Sequence, residues 1–153
     1  MSLLLLLHLI GAVLFLGNIV TAAFWKVRAD LQSDVGIIHS TNKNLMLADV
    51  VFTLPGLILI IVSGILMAAR EGALSEGFNW LTLSLILFAV TGVVWLAILI
   101  PLQRAMIRHS SPAAASGGLP EAYRKATRLW NGFGIAATLL PLAILYLMVT
   151  KGF

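Results

Sequence analysis

Residues 3–25 read LLLLLHLIGAVLFLGNIVTAAFW, a predominantly apolar stretch. Its 23 residues carry no formal charge, and His8 is its one titratable side chain. A helix rises about 1.5 Å per residue, so a helix of this length crosses the ~30 Å hydrocarbon core of a bilayer. The stretch therefore predicts a transmembrane helix.

Three further apolar stretches, 47–69, 80–103 and 129–150, are also long enough to cross, and none shows the alternation of a transmembrane β-strand. The chain of 153 residues is 60% hydrophobic and 10% charged, with a mean hydropathy of +1.02. Soluble domains are about 45–50% apolar and about 25% charged. The sequence thus predicts a single all-α domain, residues 1–153, that forms a four-helix transmembrane bundle with the lipid bilayer as its solvent.

The basic residues lie mostly between the apolar stretches. Two predicted loops, 26–46 and 104–128, hold eight of the ten lysines and arginines, and the positive-inside rule places both in the cytoplasm. Both chain ends then lie outside, which is an N-out/C-out orientation. Because the net charge of +4 is not gathered into one patch with aromatics between, no nucleic acid partner is predicted. Three tryptophans fall at span ends, as in an aromatic belt: Trp25, Trp80 and Trp130.

Polar residues on the spans form two groups by depth. An unpaired polar side chain is costly in hydrocarbon, so these residues should turn toward neighbouring helices. Because alternate helices run in opposite directions, one outer level is shared by His8, Met67, Ser84 and Tyr146. An inner polar zone near the cytoplasmic edge comprises Asn18, Lys26, Asp49, Gln103, Arg128 and Asn131.

His8 is the sharpest functional candidate on the spans. A neutral imidazole binds haem iron or other metals, and histidine also suits proton transfer. We therefore predict His8 as a metal ligand in a pocket for b-type haem, lined by Met67, Ser84 and Tyr146. The structural alternative is a histidine that hydrogen-bonds Ser84 or Tyr146 and holds the bundle together.

Asp49 is the second candidate, because it is the one acidic residue within the apolar stretches. It could relay protons, or it could form an ion pair at the membrane edge with Lys26, Arg104 or Arg128. Its position near that edge favours the ion pair. Small residues such as Gly11, Gly56 and Ser63 are interpreted as packing surface, since they let transmembrane backbones approach closely.

The sequence contains few motifs of known catalytic or metal-binding chemistry. It has no cysteine, and therefore no thiolate metal site, and it contains no phosphate loop, HExxH pair or nucleophile elbow. Whether the protein is an enzyme is left open. The leading hypothesis is a membrane bundle that binds a redox-type cofactor, most simply haem or a porphyrin. The alternative is a noncatalytic protein: a small transporter or channel, or a scaffold subunit in a homo-oligomer or with another membrane partner.

Several short motifs resemble a bacterial family of integral membrane proteins, domain of unknown function 2269. They are His8 with Gly17, Thr53-Leu54-Pro55 with Gly64, Trp95 before Pro101-Leu102-Gln103-Arg104, and the closing Leu147-Met148-Val149-Thr150-Lys151. The resemblance covers nearly the whole chain. It implies four helices and a multi-pass protein of the bacterial plasma (inner) membrane, and it implies no established activity.

A more distant resemblance is to the small membrane protoporphyrinogen oxidases of bacteria, which are helical bundles associated with haem. Their first span carries a histidine, an aromatic residue and a glycine, similar to His8, Phe15 and Gly17. Their second span is similar at Pro55 and Gly64. Their third span opens with tryptophan, histidine and lysine, whereas this chain reads Trp-Leu-Thr-Leu-Ser over 80–84. The resemblance implies a haem or porphyrin pocket.

Overall fold

The computed structural model describes residues 3–72 and 77–151. Within these ranges the chain is helical and forms no β-strand. Each long helix is long and apolar enough to cross a membrane. The prediction of an all-α bundle with four candidate membrane spans is thereby confirmed. The helices are α1 (Leu3–Gln32), α2 (Val35–Arg70), α3 (Trp80–His109) and α4 (Glu121–Thr150).

The helices continue beyond the apolar stretches that reveal them. Segment 26–46, expected to be a loop, is helical except for a tight turn between α1 and α2. Ser33 turns the chain with a φ of 57°, and Asp34 caps α2 by accepting a hydrogen bond from the backbone N–H of Ile37 at 2.9 Å. Hydropathy marks where apolar side chains stop, whereas backbone hydrogen bonding continues to the next turn.

The second predicted loop, 104–128, is also largely helical. Helix α3 continues to His109, and α4 begins at Glu121, so only residues 110–120 lie outside the helices. Residues 121–128 form the first turns of α4, and Tyr123 and Ala126 of this segment are buried against the bundle.

The four helices form two hairpins, α1 with α2 and α3 with α4. They contact each other mainly at the end of the bundle that holds residues 26–46 and 104–128, here called the basic end. The buried apolar core lies toward the same end. Its members are Ala29, Ile38, Leu99, Met106, Tyr123, Ala126, Trp130 and Ala137.

The first hairpin depends on a close approach of two backbones. A Cβ atom placed on Gly11 would lie 2.9 Å from the carbonyl oxygen of Gly56, and one placed on Gly56 would lie 2.9 Å from the carbonyl oxygen of Gly11. No residue larger than glycine fits either position without moving the helices apart. The geometry agrees with the interpretation of these glycines as packing surface.

Two widened turns interrupt the α-helical hydrogen bonding. Residues Asp49–Thr53 in α2 and Trp95–Leu99 in α3 each form a π-helical turn, closed by i→i+5 backbone bonds. A proline follows each turn after one residue, at Pro55 and Pro101. Proline lacks an N–H and its ring collides with the carbonyl of residue i−4, so a wider turn relieves the collision. Such turns are frequent at functional sites.

Replacing Gly56 with leucine should destabilise the bundle by about 1–3 kcal/mol, because the added side chain overpacks the contact with Gly11. Thermal unfolding in detergent, followed by circular dichroism, measures the effect. Gly17→Leu is the matched control, since nothing lies within 4 Å of a Cβ placed on Gly17. Equal unfolding temperatures for the two variants would contradict the close packing of α1 on α2.

Candidate functional site

A buried carboxylate lies where three helices meet. Asp49 on α2 is 7% exposed. Its Oδ1 accepts hydrogen bonds from Asn18 Nδ2 on α1 at 2.9 Å and from the Thr53 hydroxyl at 2.9 Å. Its Oδ2 accepts from Gln103 Nε2 on α3 at 2.8 Å. We call these four residues the Asp49 cluster.

The first π-helical turn contributes two of its members, since Asp49 and Thr53 are the first and last residues of that turn. Asn18 also donates to the Thr53 hydroxyl oxygen at 2.8 Å, so the three polar side chains on α1 and α2 form one network. All three partners donate to the carboxyl of Asp49. Each carboxyl oxygen of Asp49 therefore accepts at least one hydrogen bond, and each of these donors is a neutral side chain.

The ion pair that the sequence favoured for Asp49 is not formed, and that prediction is wrong. In the described part of the chain, Lys26 pairs with Asp30 at 2.5 Å and Arg128 pairs with Glu121 at 3.7 Å. Arg104 is exposed. The reason is local: Asp30 lies one helical turn from Lys26 on α1, where side chains at i and i+4 meet. Asp49 is therefore held by neutral donors.

A second polar group, the Lys26 cluster, lies nearer the basic end. Lys26 is fully buried, and its Nζ donates to Asp30 and, at 3.1 Å, to the Tyr123 hydroxyl. That hydroxyl donates to Asp30 at 2.9 Å and accepts from Asn42 at 3.5 Å. These four residues join α1, α2 and α4. Sequence reasoning found Lys26 alone; the i,i+4 spacing to Asp30 was the available signal for its partner.

A cavity of about 500 Å³ lies beside the Asp49 cluster, between α1, α3 and α4. We call it the inner cavity. Its polar lining includes Asp49, Thr53 and Gln103, and the two π-helical turns both border it. Its aromatic lining is Phe15, Trp95 and Trp130. Trp130, expected in an interfacial belt, is only 8% exposed and forms part of this wall.

Part of the lining of the inner cavity is exposed on the outside of the bundle. The exposed lining residues are Ala23 and Val27 on α1 with Asn131, Ile135 and Leu139 on α4. These two helices contact each other only lightly. Four of the five side chains are apolar, and Asn131 is polar.

A cleft of about 570 Å³ lies at the basic end, between the turn that follows α1 and the start of α4. Asp30, Tyr123, Arg124 and Arg128 are among its lining residues. Asn131 lines both this cleft and the inner cavity, so the two spaces adjoin at that residue.

Two residues of the cavity lining hold buried polar atoms without a hydrogen-bond partner among the described residues: Oε1 of Gln103 and Nε1 of Trp130. Asn42 Oδ1 in the Lys26 cluster is a third such atom. An unpaired buried polar atom costs about 1–3 kcal/mol.

The structure places the residues predicted for the outer level around His8 as follows. His8 is half-buried, and its Nδ1 lies 3.0 Å from the Ser63 hydroxyl on α2. Its ring packs on Gly64, where an added Cβ would lie 3.2 Å from the His8 Cε1 atom. Ser84 donates to the Trp80 carbonyl of its own helix at 2.7 Å. Tyr146 is 68% exposed on the outer surface of α4.

The other predicted site residues lie as follows. Met67 is partly buried on α2, and no hydrogen bond links it to His8 among the described residues. Asn18, Asp49 and Gln103 of the inner polar zone are in direct contact. Of the remaining members, Lys26 belongs to the Lys26 cluster. Arg128 lines the cleft at the basic end, and Asn131 lies where this cleft adjoins the inner cavity. Over residues 3–72 and 77–151 there is no grouping of three His, Cys, Asp or Glu side chains that could hold a metal ion.

Four long apolar helices around a small polar interior define the chain as an integral membrane protein. It belongs to the family of predicted integral membrane proteins designated DUF2269, whose profile matches residues 2–152. No curated protein and no solved structure matches the chain. The resemblance to protoporphyrinogen oxidases thus gains no support from these comparisons.

Haem ligation by His8 stays a prediction, and an absorption spectrum tests it. If His8 binds b-type haem, protein purified from haem-supplemented cells should show a Soret band that His8→Ala removes. His39→Ala is the matched control, because His39 Nδ1 lies 3.1 Å from the Ser110 hydroxyl at the basic end, far from His8. A colourless protein, or a band unaffected by His8→Ala, would contradict the prediction.

Proposed function

We propose that the inner cavity binds a lipophilic cation, with Asp49 as its counter-charge, and that the protein is a small noncatalytic membrane transporter. The observation that carries this proposal is a buried carboxylate, on the wall of a cavity, whose partners are all neutral. A buried charge of this kind is costly unless another charge compensates it. In the described structure the nearby cationic side chains have other partners or are exposed, which leaves this role to a ligand.

The cavity walls support a cation with an apolar body. A volume of about 500 Å³ is within the ~300–1,000 Å³ typical of small-molecule sites. Three aromatic side chains line it, and aromatic faces attract cations by about 0.5–2 kcal/mol. An amphipathic ligand would place its charged group against the Asp49 cluster and its apolar part along Phe15, Trp95 and Trp130.

The route of entry follows from the opening between α1 and α4. A lipophilic cation concentrates in the bilayer, and Ala23, Val27, Ile135 and Leu139 would offer it a largely apolar passage into the cavity. The cavity adjoins the basic-end cleft at Asn131, one helical turn from Ile135. The proposed transport would use these two neighbouring openings.

The orientation belongs to the same proposal. Eight of the ten basic residues lie in segments 26–46 and 104–128, so we place the basic end in the cytoplasm and both chain ends outside, in the bacterial plasma membrane. The cleft would then face the cytoplasm, and the inner cavity would lie within the cytoplasmic leaflet.

Asp49→Asn tests the binding proposal. This substitution removes the charge of the side chain with little change of its shape. Because the counter-charge is lost, binding of radiolabelled tetraphenylphosphonium should weaken at least tenfold, and so should binding of radiolabelled phenethylamine. Both are measured in detergent or in liposomes. Asp34→Asn is the matched control, since Asp34 is exposed and asparagine also caps a helix.

A second pair of variants places the binding in the cavity. Gly134 lines the inner cavity and Gly132 does not, although a Cβ on either meets nothing within 4 Å. Gly134→Leu should therefore reduce binding of both probes, and Gly132→Leu should not. Binding that is indifferent to both Asp49→Asn and Gly134→Leu would overturn the proposal.

A thiol introduced at position 131 tests both the orientation and the access from the cleft. The chain has no cysteine, so Asn131→Cys carries the only thiol. A membrane-impermeant thiol reagent should label it in inside-out vesicles and leave it unlabelled in right-side-out vesicles. Phe133→Cys, on the exposed apolar surface of α4, is the control that should resist the reagent in both. Labelling from the opposite side would overturn the orientation.

A further inference from the structure

We infer that the basic-end cleft binds the phosphate group of an anionic phospholipid, and that Arg124 and Arg128 hold this phosphate. The inferred site is separate from the Asp49 cluster, so the inference goes beyond the proposed function and does not depend on it. Three features of the cleft carry it: two accessible arginines on one helix face, a net positive charge, and a position at the depth of the lipid headgroups.

The two arginines line the cleft from one face of α4. They are one helical turn apart, and both side chains are exposed, so a ligand in the cleft can reach them. In the described part of the chain, the Arg124 guanidinium has no hydrogen bond or ion pair. Arg128 pairs with Glu121 at 3.7 Å, but side chains that are 78% and 76% exposed form only a weak pair. Because guanidinium groups bind phosphate through paired N–H donors, both arginines are available to a phosphate.

The charge of the cleft matches a phosphodiester. Asp30 is the acidic member of the described lining, and it is paired with the fully buried Lys26. The lining and its ion-pair partners therefore carry three positive charges, on Arg124, Arg128 and Lys26, against two negative charges, on Asp30 and Glu121. The net charge is +1, and the phosphodiester of an anionic phospholipid supplies the opposite charge.

The cleft also lies at the depth of the headgroups. The apolar stretch of α4 begins at Leu129, directly after Arg128, and Arg124 lies one turn, about 6 Å, farther from the hydrocarbon. The polar region on each side of a bilayer is about 5–7 Å thick. A phosphate held between the two guanidinium groups is therefore at the depth where phospholipids carry theirs. Basic pockets between transmembrane helices bind anionic headgroups in this way.

The rest of the lining favours a lipid over a free phosphate ion. Val35 and Leu119 are half-buried apolar residues of the lining, and the exposed Ser33 adds a hydroxyl group at the turn after α1. A lipid can place the first methylene groups of its acyl chains on Val35 and Leu119, whereas inorganic phosphate has no apolar part. The volume of about 570 Å³ leaves room for both parts of such a ligand.

Lipid binding to the detergent-purified protein tests the inference. Native mass spectrometry counts bound phosphatidylglycerol and bound phosphatidylcholine with identical acyl chains. Both lipids contain a phosphodiester, but the trimethylammonium group of phosphatidylcholine cancels its charge and would lie beside the arginines. The unaltered protein should therefore bind phosphatidylglycerol about fivefold more tightly, or better. Equal binding of the two lipids would overturn the inference.

Three substitutions locate the binding in the cleft. Arg124→Gln and Arg128→Gln should each weaken binding of phosphatidylglycerol about fivefold, because each removes one cationic contact with the phosphate. Lys125→Gln is the matched control, since Lys125 is adjacent to Arg124 and exposed but does not line the cleft. Its binding should stay within about twofold of the unaltered protein. An equal loss in Lys125→Gln would show a general attraction to anionic lipid and would overturn the assignment to the cleft.

A competition experiment distinguishes the lipid from a free phosphate. Inorganic phosphate at the same concentration as phosphatidylglycerol should leave the lipid bound, because it lacks the apolar contacts. Displacement of the lipid by inorganic phosphate would overturn the lipid as the ligand of the cleft. The comparison of the two lipids uses the unaltered protein, so a variant that fails to fold leaves that result intact. None of these measurements involves a cation at Asp49, so the inference and the proposed function stand or fall separately.

Discussion

The interior of this bundle depends on one constraint: a carboxylate buried among lipid-covered helices must find its donors within the protein. Asp49 finds them on three helices, from Asn18, Thr53 and Gln103. The cluster therefore fixes the rotation of each helix about its axis, and it sets which faces of α1, α2 and α3 meet.

The two π-helical turns give this arrangement its shape. Each precedes a proline, and each contributes residues to the lining of the inner cavity. The close contact of Gly11 with Gly56 holds α1 against α2. Among the described residues, α1 and α4 are joined instead by the hydrogen bonds of Lys26 and Asp30 with Tyr123, and the inner cavity lies between α1, α3 and α4.

Much of this could be predicted from the sequence, and the exceptions have physical causes. The length of the apolar stretches predicts the four helices. The depth of each polar residue within its span places Asn18, Asp49 and Gln103 at one level of the bundle. The partners of Lys26 and Asp49 could not be found in this way, because ion pairing depends on which side chain lies nearest in space. The position of Trp130 was missed for a similar reason: a tryptophan at a span end has the same sequence signature whether it faces lipid or a cavity.

The side-chain hydrogen bonds described between the two hairpins all lie between Asp49 and the basic end, whereas the bond from His8 to Ser63 joins helices of the same hairpin. The described hydrogen bonds between the hairpins are thus gathered toward one end of the bundle. Farther from that end the Phe15 and Phe88 rings pack with their centroids 6.2 Å apart. A motion of one hairpin against the other would therefore disturb these hydrogen bonds least if it turned about the Lys26 cluster.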